Sequence, residues 1–140
     1  MTSRADVLLE DFGKNLNIPN MSFDEDGLCS FKVDDRYHIS ILSNSEESIF
    51  IYGLLGKLNS NFRDDAFALL LSTNLYLAEA NLHTIAFEPK MSMLILAKSY
   101  SLDGLDAVSI ENIIDKLSEQ IAEISTNLKE EAGIELQEPQ

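Results

Sequence analysis

Apolar positions recur along the chain with two different periods, and the changes between them predict the order of the secondary-structure elements. Three segments carry an apolar stripe at helical spacing, at residues 3–15, 64–81 and 109–132. Between them, apolar and polar residues alternate over short runs, as in strands, at residues 29–33, 37–41, 48–52, 82–87 and 91–99. The predicted order is αβββαββα, an α+β single domain whose antiparallel sheet is flanked by helices.

Capping residues and a late glycine predict where the outer helices begin and end. Ser3 and Ser109 are placed to accept hydrogen bonds from backbone N–H groups at the starts of the first and last helices. Gly133 ends the last helix, because glycine readily adopts the left-handed conformation that follows many helices. We therefore expect a folded domain over residues 1–132 and an acidic, flexible tail over residues 133–140.

The helix predicted over residues 64–81 has more apolar positions than one buried face requires. Six residues follow the spacing of a single stripe: Phe67, Leu70, Leu71, Asn74, Leu75 and Ala78. Further apolar residues lie off that stripe: Ala66, Leu69, Tyr76 and Leu77. Either this helix is central in a monomer core, or one face packs on the sheet and the other on a second copy of the chain. The pattern favours the second alternative, a homodimer, in which Asn74 pairs with its copy if it lies near the two-fold axis.

Charge and composition narrow the range of partners and compartments. The chain has 24 Asp and Glu against 10 Lys and Arg, a formal net charge of −14. Such a surface repels nucleic acid and anionic membranes, so we expect neither as a partner. No apolar run reaches the length of a membrane span, and the first 13 residues lack the continuous apolar segment of a signal peptide. With Cys29 as the single cysteine, these features predict a cytoplasmic protein without disulfides.

Residues that usually carry catalysis are few. His38 lies on the polar face of a strand and His83 at a strand start, where solvated or hydrogen-bonded roles are commoner than catalytic ones. Cys29 belongs to an alternating strand and is expected to be a small core residue. Residues 24–27 resemble part of a calcium loop, but Val33 occupies the position where calcium needs a bidentate Glu. We therefore expect no catalytic, metal or cofactor site, and no enzyme.

Apolar residues after the first helix and an open strand edge favour peptide binding. Phe12, Leu16 and Ile18 run from the end of that helix toward the strands. They form either part of the domain core or an exposed patch, and the pattern alone leaves both alternatives open. A meander of short strands also has an edge that accepts an added strand from a partner.

Several segments resemble one known family. They are Ser3–Glu10 (SRADVLLE), Ser22–Phe31 (SFDEDGLCSF), Tyr37–Ser40 (YHIS) and Ile51–Gly53 (IYG). These stretches, and the order of the predicted elements, are similar to the class I chaperones of bacterial type III secretion, and among them to the Tir chaperones. The resemblance extends over about residues 1 to 125 and is strongest before residue 60.

The resemblance implies a function and two sets of site residues. Chaperones of this class are small, acidic, cytoplasmic homodimers that bind the N-terminal, non-globular segment of an effector and deliver it to the secretion apparatus, whose ATPase releases it. Their second helix lies at the dimer interface, which implies that role for Phe67, Leu70, Leu71, Asn74 and Leu75. Their first helix and neighbouring strands bind effectors, which implies that role for Phe12, Leu16, Ile18, Phe31, Val33 and Ile39.

Two other hypotheses belong to different functional classes. One is a regulatory binding protein that sequesters another small protein controlling the expression of secretion genes. It would use the same surfaces as a chaperone. The other is a small enzyme that uses Cys29 or His38.

Overall fold

The computed structural model describes residues 3–58 and 64–137 and confirms the predicted α+β order. Eight elements follow one another along the chain: α1 (Arg4–Asn15), β1 (Leu28–Val33), β2 (Tyr37–Leu42), β3 (Ser48–Lys57), α2 (Asp64–Glu79), β4 (Thr84–Glu88), β5 (Met93–Ser101) and α3 (Ala107–Ala132).

The five strands form one antiparallel sheet in the order β1-β2-β3-β5-β4, so that β1 and β4 are its edge strands. β1 pairs with β2 from Leu28 opposite Leu42 to Val33 opposite Tyr37. β4 pairs with β5 from Thr84 opposite Ala97 to Glu88 opposite Met93. Both pairs join neighbours in the chain, as expected for strands connected by short turns.

Contacts within the chain divide it into two compact units. Unit 1 contains residues 1–51 and 99–116, and unit 2 contains residues 52–98 and 117–140. Because β3, β5 and α3 each run through both, neither unit is a continuous segment.

In unit 1, α1 begins as its sequence predicts. Ser3 and Asp6 form a capping box, in which the Asp6 backbone N–H donates to the Ser3 hydroxyl at 3.1 Å and the Ser3 N–H donates to the Asp6 carboxylate at 3.0 Å. The Ser3 N–H, and then the Ser3 hydroxyl at 2.8 Å, donate to the Asp6 carboxylate and lower its pKa. The helix buries one stripe, formed by Ala5, Leu9 and Phe12.

The start of α3 differs from the prediction. The helix begins at Ala107, and Asp106 rather than Ser109 caps it, because the Asp106 carboxylate accepts from both the backbone N–H and the hydroxyl of Ser109 at 2.8 Å. Ser109 therefore lies in the first turn, as a donor to the cap. The predicted apolar stripe is buried, through Ile110 and Ile114 in unit 1 and Leu117, Ile121, Ile124 and Leu128 in unit 2.

In unit 2, β3 is longer than the strand predicted to end at Tyr52. It continues to Lys57 through Gly53 and Gly56, which interrupt the alternating pattern, and Gly56 has φ 148°, a backbone conformation that L side chains rarely adopt. The predicted tail is described only in part. Residues 133–137 are described, and Gln137 pairs with Lys57 at the end of β3, whereas residues 138–140 lie outside the described part of the chain.

Candidate functional site

Two of the residues predicted to bind effectors lie in the core of unit 1, Phe12 on the buried stripe of α1 and Ile39 on β2. Phe12 and Ile39 are fully buried. The rings of Phe12 and Phe31 lie 5.9 Å apart between centroids, and Phe31 is the cross-strand partner of Ile39. The predicted direct contact of Phe12 and Ile39 with an effector is therefore corrected. The apolar stripe of α1 is buried against this face of the strands. Phe12 and Ile39 therefore pack against Phe31 from inside the core.

The other four residues of that set reach the surface, and we call them the α1–β1 surface: Leu16, Ile18, Phe31 and Val33. Leu16 follows Phe12 by one helical turn and is exposed, as is Ile18, with 42% of its area accessible. Phe31 and Val33 are half-buried and point to one face of β1, two residues apart. Apolar side chains thus continue from the buried cluster to solvent.

A close backbone approach at Gly13 places Ile18. The Ile18 N–H donates to the Gly13 carbonyl at 2.8 Å, which folds the chain back after α1. A Cβ at Gly13 would lie 2.8 Å from the Met21 Cβ and 2.9 Å from the Ile18 carbonyl oxygen, which is too close for any side chain. Glycine at this position therefore lets the loop cross the end of the helix and hold Ile18 beside it.

The outer edge of β1 has no neighbouring strand among the described residues, because β1 ends the sheet. Backbone N–H and C=O groups along such an edge are available to an added strand. A narrow apolar cleft also opens beneath α1, lined by Ala5, Leu8, Leu9, Phe12, Phe23, Ile41, Ile49 and Ile110. Unit 1 therefore combines exposed apolar side chains, an apolar cleft and an open strand edge.

In unit 2, α2 has one buried and one exposed apolar face. Ala66, Leu70 and Leu77 are buried, whereas Leu71 keeps 69% of its area exposed. Since successive residues turn by about 100° around a helix, Leu70 lies about 60° to the buried side of Phe67 and Leu71 about 40° to the other side. The stripe drawn from the sequence therefore joined two faces. Leu70 is corrected from an interface to a core residue of unit 2.

Asn74 lies at the boundary between these two faces and binds β4. Its side-chain amide donates to the Ile85 carbonyl at 2.8 Å, and its carbonyl oxygen accepts from the Ile85 N–H. Ile85 faces Leu96 of β5 across the ladder, so the Asn74 side chain occupies the opposite, outer edge of β4. The expected pairing of Asn74 with its own copy is therefore corrected, because both of its hydrogen-bonding groups are already used within one chain.

The exposed apolar face of α2 is formed by three residues of the predicted stripe. We call it the α2 surface: Phe67, Leu71 and Leu75, each with about half or more of its area exposed. Tyr76 is exposed too, but it lies about 180° around the helix from Phe67 and so belongs to a different face. Phe87 of β4 and Met91 after it are also exposed, and they were missed because strand alternation does not show which face is covered.

Two titratable side chains, Cys29 in unit 1 and His83 in unit 2, are buried and have structural roles. Burial, then the charge of Asp24, raises the pKa of the Cys29 thiol, which disfavours the reactive thiolate. Burial lowers the pKa of His83 to about 4, so its ring is neutral at pH 7. The amide nitrogen of Gln120 lies 3.4 Å from the His83 carbonyl oxygen, and among the described residues the Gln120 side-chain oxygen has no hydrogen-bond partner.

Two searches of the described residues bear on other functions. Over residues 3–58 and 64–137, no three His, Cys, Asp or Glu side chains are grouped so that they could hold a metal ion. None of the helices in those ranges has the length and apolar character needed to cross a bilayer.

Comparison with known proteins identifies similar sequences over most of the chain. The model of the Tir chaperone protein (CesT) family matches residues 7–125. A Tir chaperone of Escherichia coli O157:H7 is 36% identical over 118 residues, which cover 82% of this chain and 73% of that protein. The matched region includes both the α1–β1 surface and the α2 surface.

Solved structures show the same fold. One similar chain belongs to the HopA1–SchA chaperone–effector complex, with a TM-score of 0.75, 17% identity and coverage of 86% of this chain and 91% of that one. Another belongs to the ExsC–ExsE complex, with a TM-score of 0.73, 21% identity and coverage of 86% and 90%.

Proposed function

The chain belongs to the Tir chaperone (CesT) family and is a type III secretion chaperone, and we propose that it binds the N-terminal, non-globular segment of one or more effectors. It holds the segment extended, keeps the effector competent for secretion and delivers it to the secretion apparatus. The α1–β1 surface carries this proposal, because it places partly exposed apolar side chains in the same unit as an open strand edge.

The energetics of that surface suit an extended peptide. Fully burying one large apolar side chain contributes roughly 1.5–3 kcal/mol, and the four residues of the α1–β1 surface are already partly covered. Their burial therefore supplies a few kcal/mol at most, against the cost of ordering the peptide. Backbone hydrogen bonds along β1 would add to this, so binding depends on side chains and strand addition together.

The α2 surface supports a homodimer. Phe67, Leu71 and Leu75 lie on the exposed apolar face of α2, and a two-fold axis would place each of them in the interface twice. A standard interface buries about 1,600 Å² in total, and the duplicated aromatic and leucine side chains would form its apolar centre. In this dimer Asn74 holds β4 against α2 and does not cross the axis.

The chaperone works in the bacterial cytoplasm without catalysis, and its partners are proteins. Binding by apolar surface and strand addition needs neither cofactor nor reaction. The net charge of −14 opposes binding to nucleic acid or anionic membranes. Delivery of the effector brings the loaded chaperone to the ATPase of the secretion system, which is a second partner in this proposal.

A pull-down from the native host, followed by co-expression with the captured N-terminal segments, tests this function. Ile18→Asp is the informative variant, and Val7→Asp is its matched control. Ile18 and Val7 are both exposed β-branched residues, with 42% and 48% of their areas accessible. Val7, however, lies on the outer face of α1. We expect Ile18→Asp to lose the captured segment while Val7→Asp retains it and both variants stay folded.

Two results would contradict the proposal. If no secreted protein copurifies with the chain, it does not act as an effector chaperone. If Ile18→Asp and Val7→Asp capture effector equally well, the α1–β1 surface is not the binding site. Capture of a transcriptional regulator in place of an effector would instead support the alternative role in controlling secretion genes.

A further inference from the structure

The chain leaves α3 through a glycine cap that aims the tail back toward β3. Gly133 has φ 65°, and its N–H donates to the Lys129 carbonyl at 3.1 Å. The Ile134 N–H donates to the Leu128 carbonyl at 3.1 Å. These bonds satisfy carbonyl groups at the helix end and reverse the chain there. The reversal starts the segment that we call the tail strand, residues 134–137.

The tail strand pairs with the last residue of β3. The Lys57 N–H donates to the Gln137 carbonyl at 2.8 Å, and the Gln137 N–H donates to the Lys57 carbonyl at 3.1 Å. This is the reciprocal pair of an antiparallel ladder. The next N–H, that of Leu58, donates to the Ser92 carbonyl at 2.8 Å. Because successive N–H groups point to opposite edges, the tail strand occupies the edge of β3 that faces away from Ser92.

Gly56 leaves room for the tail strand. A Cβ at this position would lie 2.7 Å from the Leu136 Cβ and 2.8 Å from the Gln137 carbonyl oxygen. Burial along the tail strand alternates, with Ile134 and Leu136 half-buried and the residues after each of them exposed. Because Gly56 has no side chain, the backbone at the end of β3 is open at this point. The apolar side chain of Leu136, from the added strand, packs on it.

The tail strand is held weakly. Its pairing with β3 consists of one bridge with two backbone hydrogen bonds. The ion pair between Lys129 and Glu135, at 3.8 Å, joins two highly exposed side chains and adds little in water.

We propose that this edge of β3 is a second strand-addition site for the effector, and that the tail strand occupies it until an effector segment displaces it. The inference rests on the proposed chaperone function and concerns where a second part of the same extended segment binds. The matching segment is extended, places an apolar side chain over Gly56 and turns its polar side chains outward. It pairs through the backbone groups of Lys57 that the tail strand now uses.

Gln137→Pro and Gln137→Ala form the test pair in the full chain. Proline removes the N–H that donates to Lys57, whereas alanine keeps the backbone bonds and changes only an exposed side chain. The probe is the effector segment captured in the pull-down, titrated by calorimetry. If the tail strand covers the edge about 90% of the time, removing it raises the apparent affinity about tenfold. We expect that increase for Gln137→Pro and the native affinity for Gln137→Ala.

Amide hydrogen exchange in the native chain gives the second measurement. When the effector segment binds, the Gln137 amide should lose protection while the Lys57 amide keeps it, because a new strand replaces the tail. Equal affinity of the two variants, or retained protection of both amides, would overturn the inference while leaving the chaperone function intact. A weaker affinity for Gln137→Pro would also overturn it, since the tail would then be part of the binding site. If the captured segment binds no form of the chain, the chaperone function and this inference fail together.

Discussion

Leu70 and Leu71 are adjacent residues of α2 on opposite sides of its surface boundary, and they provide a sharp test of the proposed dimer. Leu71 keeps 69% of its area exposed and Leu70 only 6%. Burying the exposed part of Leu71 at an interface would contribute about 1–2 kcal/mol, and two-fold symmetry doubles this to about 2–4 kcal/mol. Leu71→Asp should therefore weaken dimerisation by about thirtyfold to a thousandfold from lost apolar burial alone.

The same substitution at Leu70 should act on folding. Leu70 is a core residue of unit 2, so even Leu70→Ala should lower the free energy of unfolding by about 2–5 kcal/mol. The assay is sedimentation equilibrium over a range of concentrations, together with urea unfolding followed by circular dichroism. Ser72→Asp is the matched control, because Ser72 is exposed and lies a further 100° or so around the helix from Leu71.

We expect Leu71→Asp to be a folded monomer, Leu70→Ala to be destabilised and Ser72→Asp to remain a dimer. The reasoning would be refuted if Leu71→Asp dimerised as tightly as the native chain. It would also be refuted if the native chain were monomeric at the concentrations at which it binds effector.

Two further predictions concern groups that the structure buries or pairs in unit 2. Burial lowers the pKa of His83 from 6.5 to about 4, so between those values the unfolded chain binds a proton that the folded chain does not. Stability should be complete above pH 6.5 and fall by up to about 3 kcal/mol toward pH 4, and urea unfolding of His83→Gln should show a flatter dependence in that window. Asn74→Ala should cost about 1–3 kcal/mol and expose the Ile85 amide to hydrogen exchange. Unchanged protection of Ile85 would contradict that assignment.

Sequence reasoning correctly predicted features that depend on local periodicity and local hydrogen bonds. The order αβββαββα and the α3 stripe follow from spacing alone, and the capping box needs only Ser3 and a residue three positions later. At the start of α3, the sequence offered two capping residues close together, and the prediction chose the wrong one. Asp106 and Ser109 both suit a cap, and their mutual hydrogen bond shows which of them accepts.

The predictions of site residues were wrong where the burial of a residue depends on a distant segment of the chain. Phe12 and Ile39 follow the patterns of a helix stripe and a strand face, and those patterns are the same whether the apolar side is exposed or covered. Which of these applies depends on where α1 packs: its Phe12 ring lies against Phe31, the cross-strand partner of Ile39, and Ile39 is fully buried. Leu16 and Ile18 stay exposed because the chain folds back at Gly13 before they reach that core.

The sequence by itself determined the fold class, the acidic character and the excess of apolar surface on α2, because these depend on residue types and their spacing. Only the tertiary structure decided which residues of α2 are buried, what Asn74 binds and where the tail strand lies. The helical period allows Leu70 and Leu71 to share a face, but β4 docks on one side of α2 through Asn74. That docking separates the core residue from the exposed one, and no local pattern in the sequence specifies it.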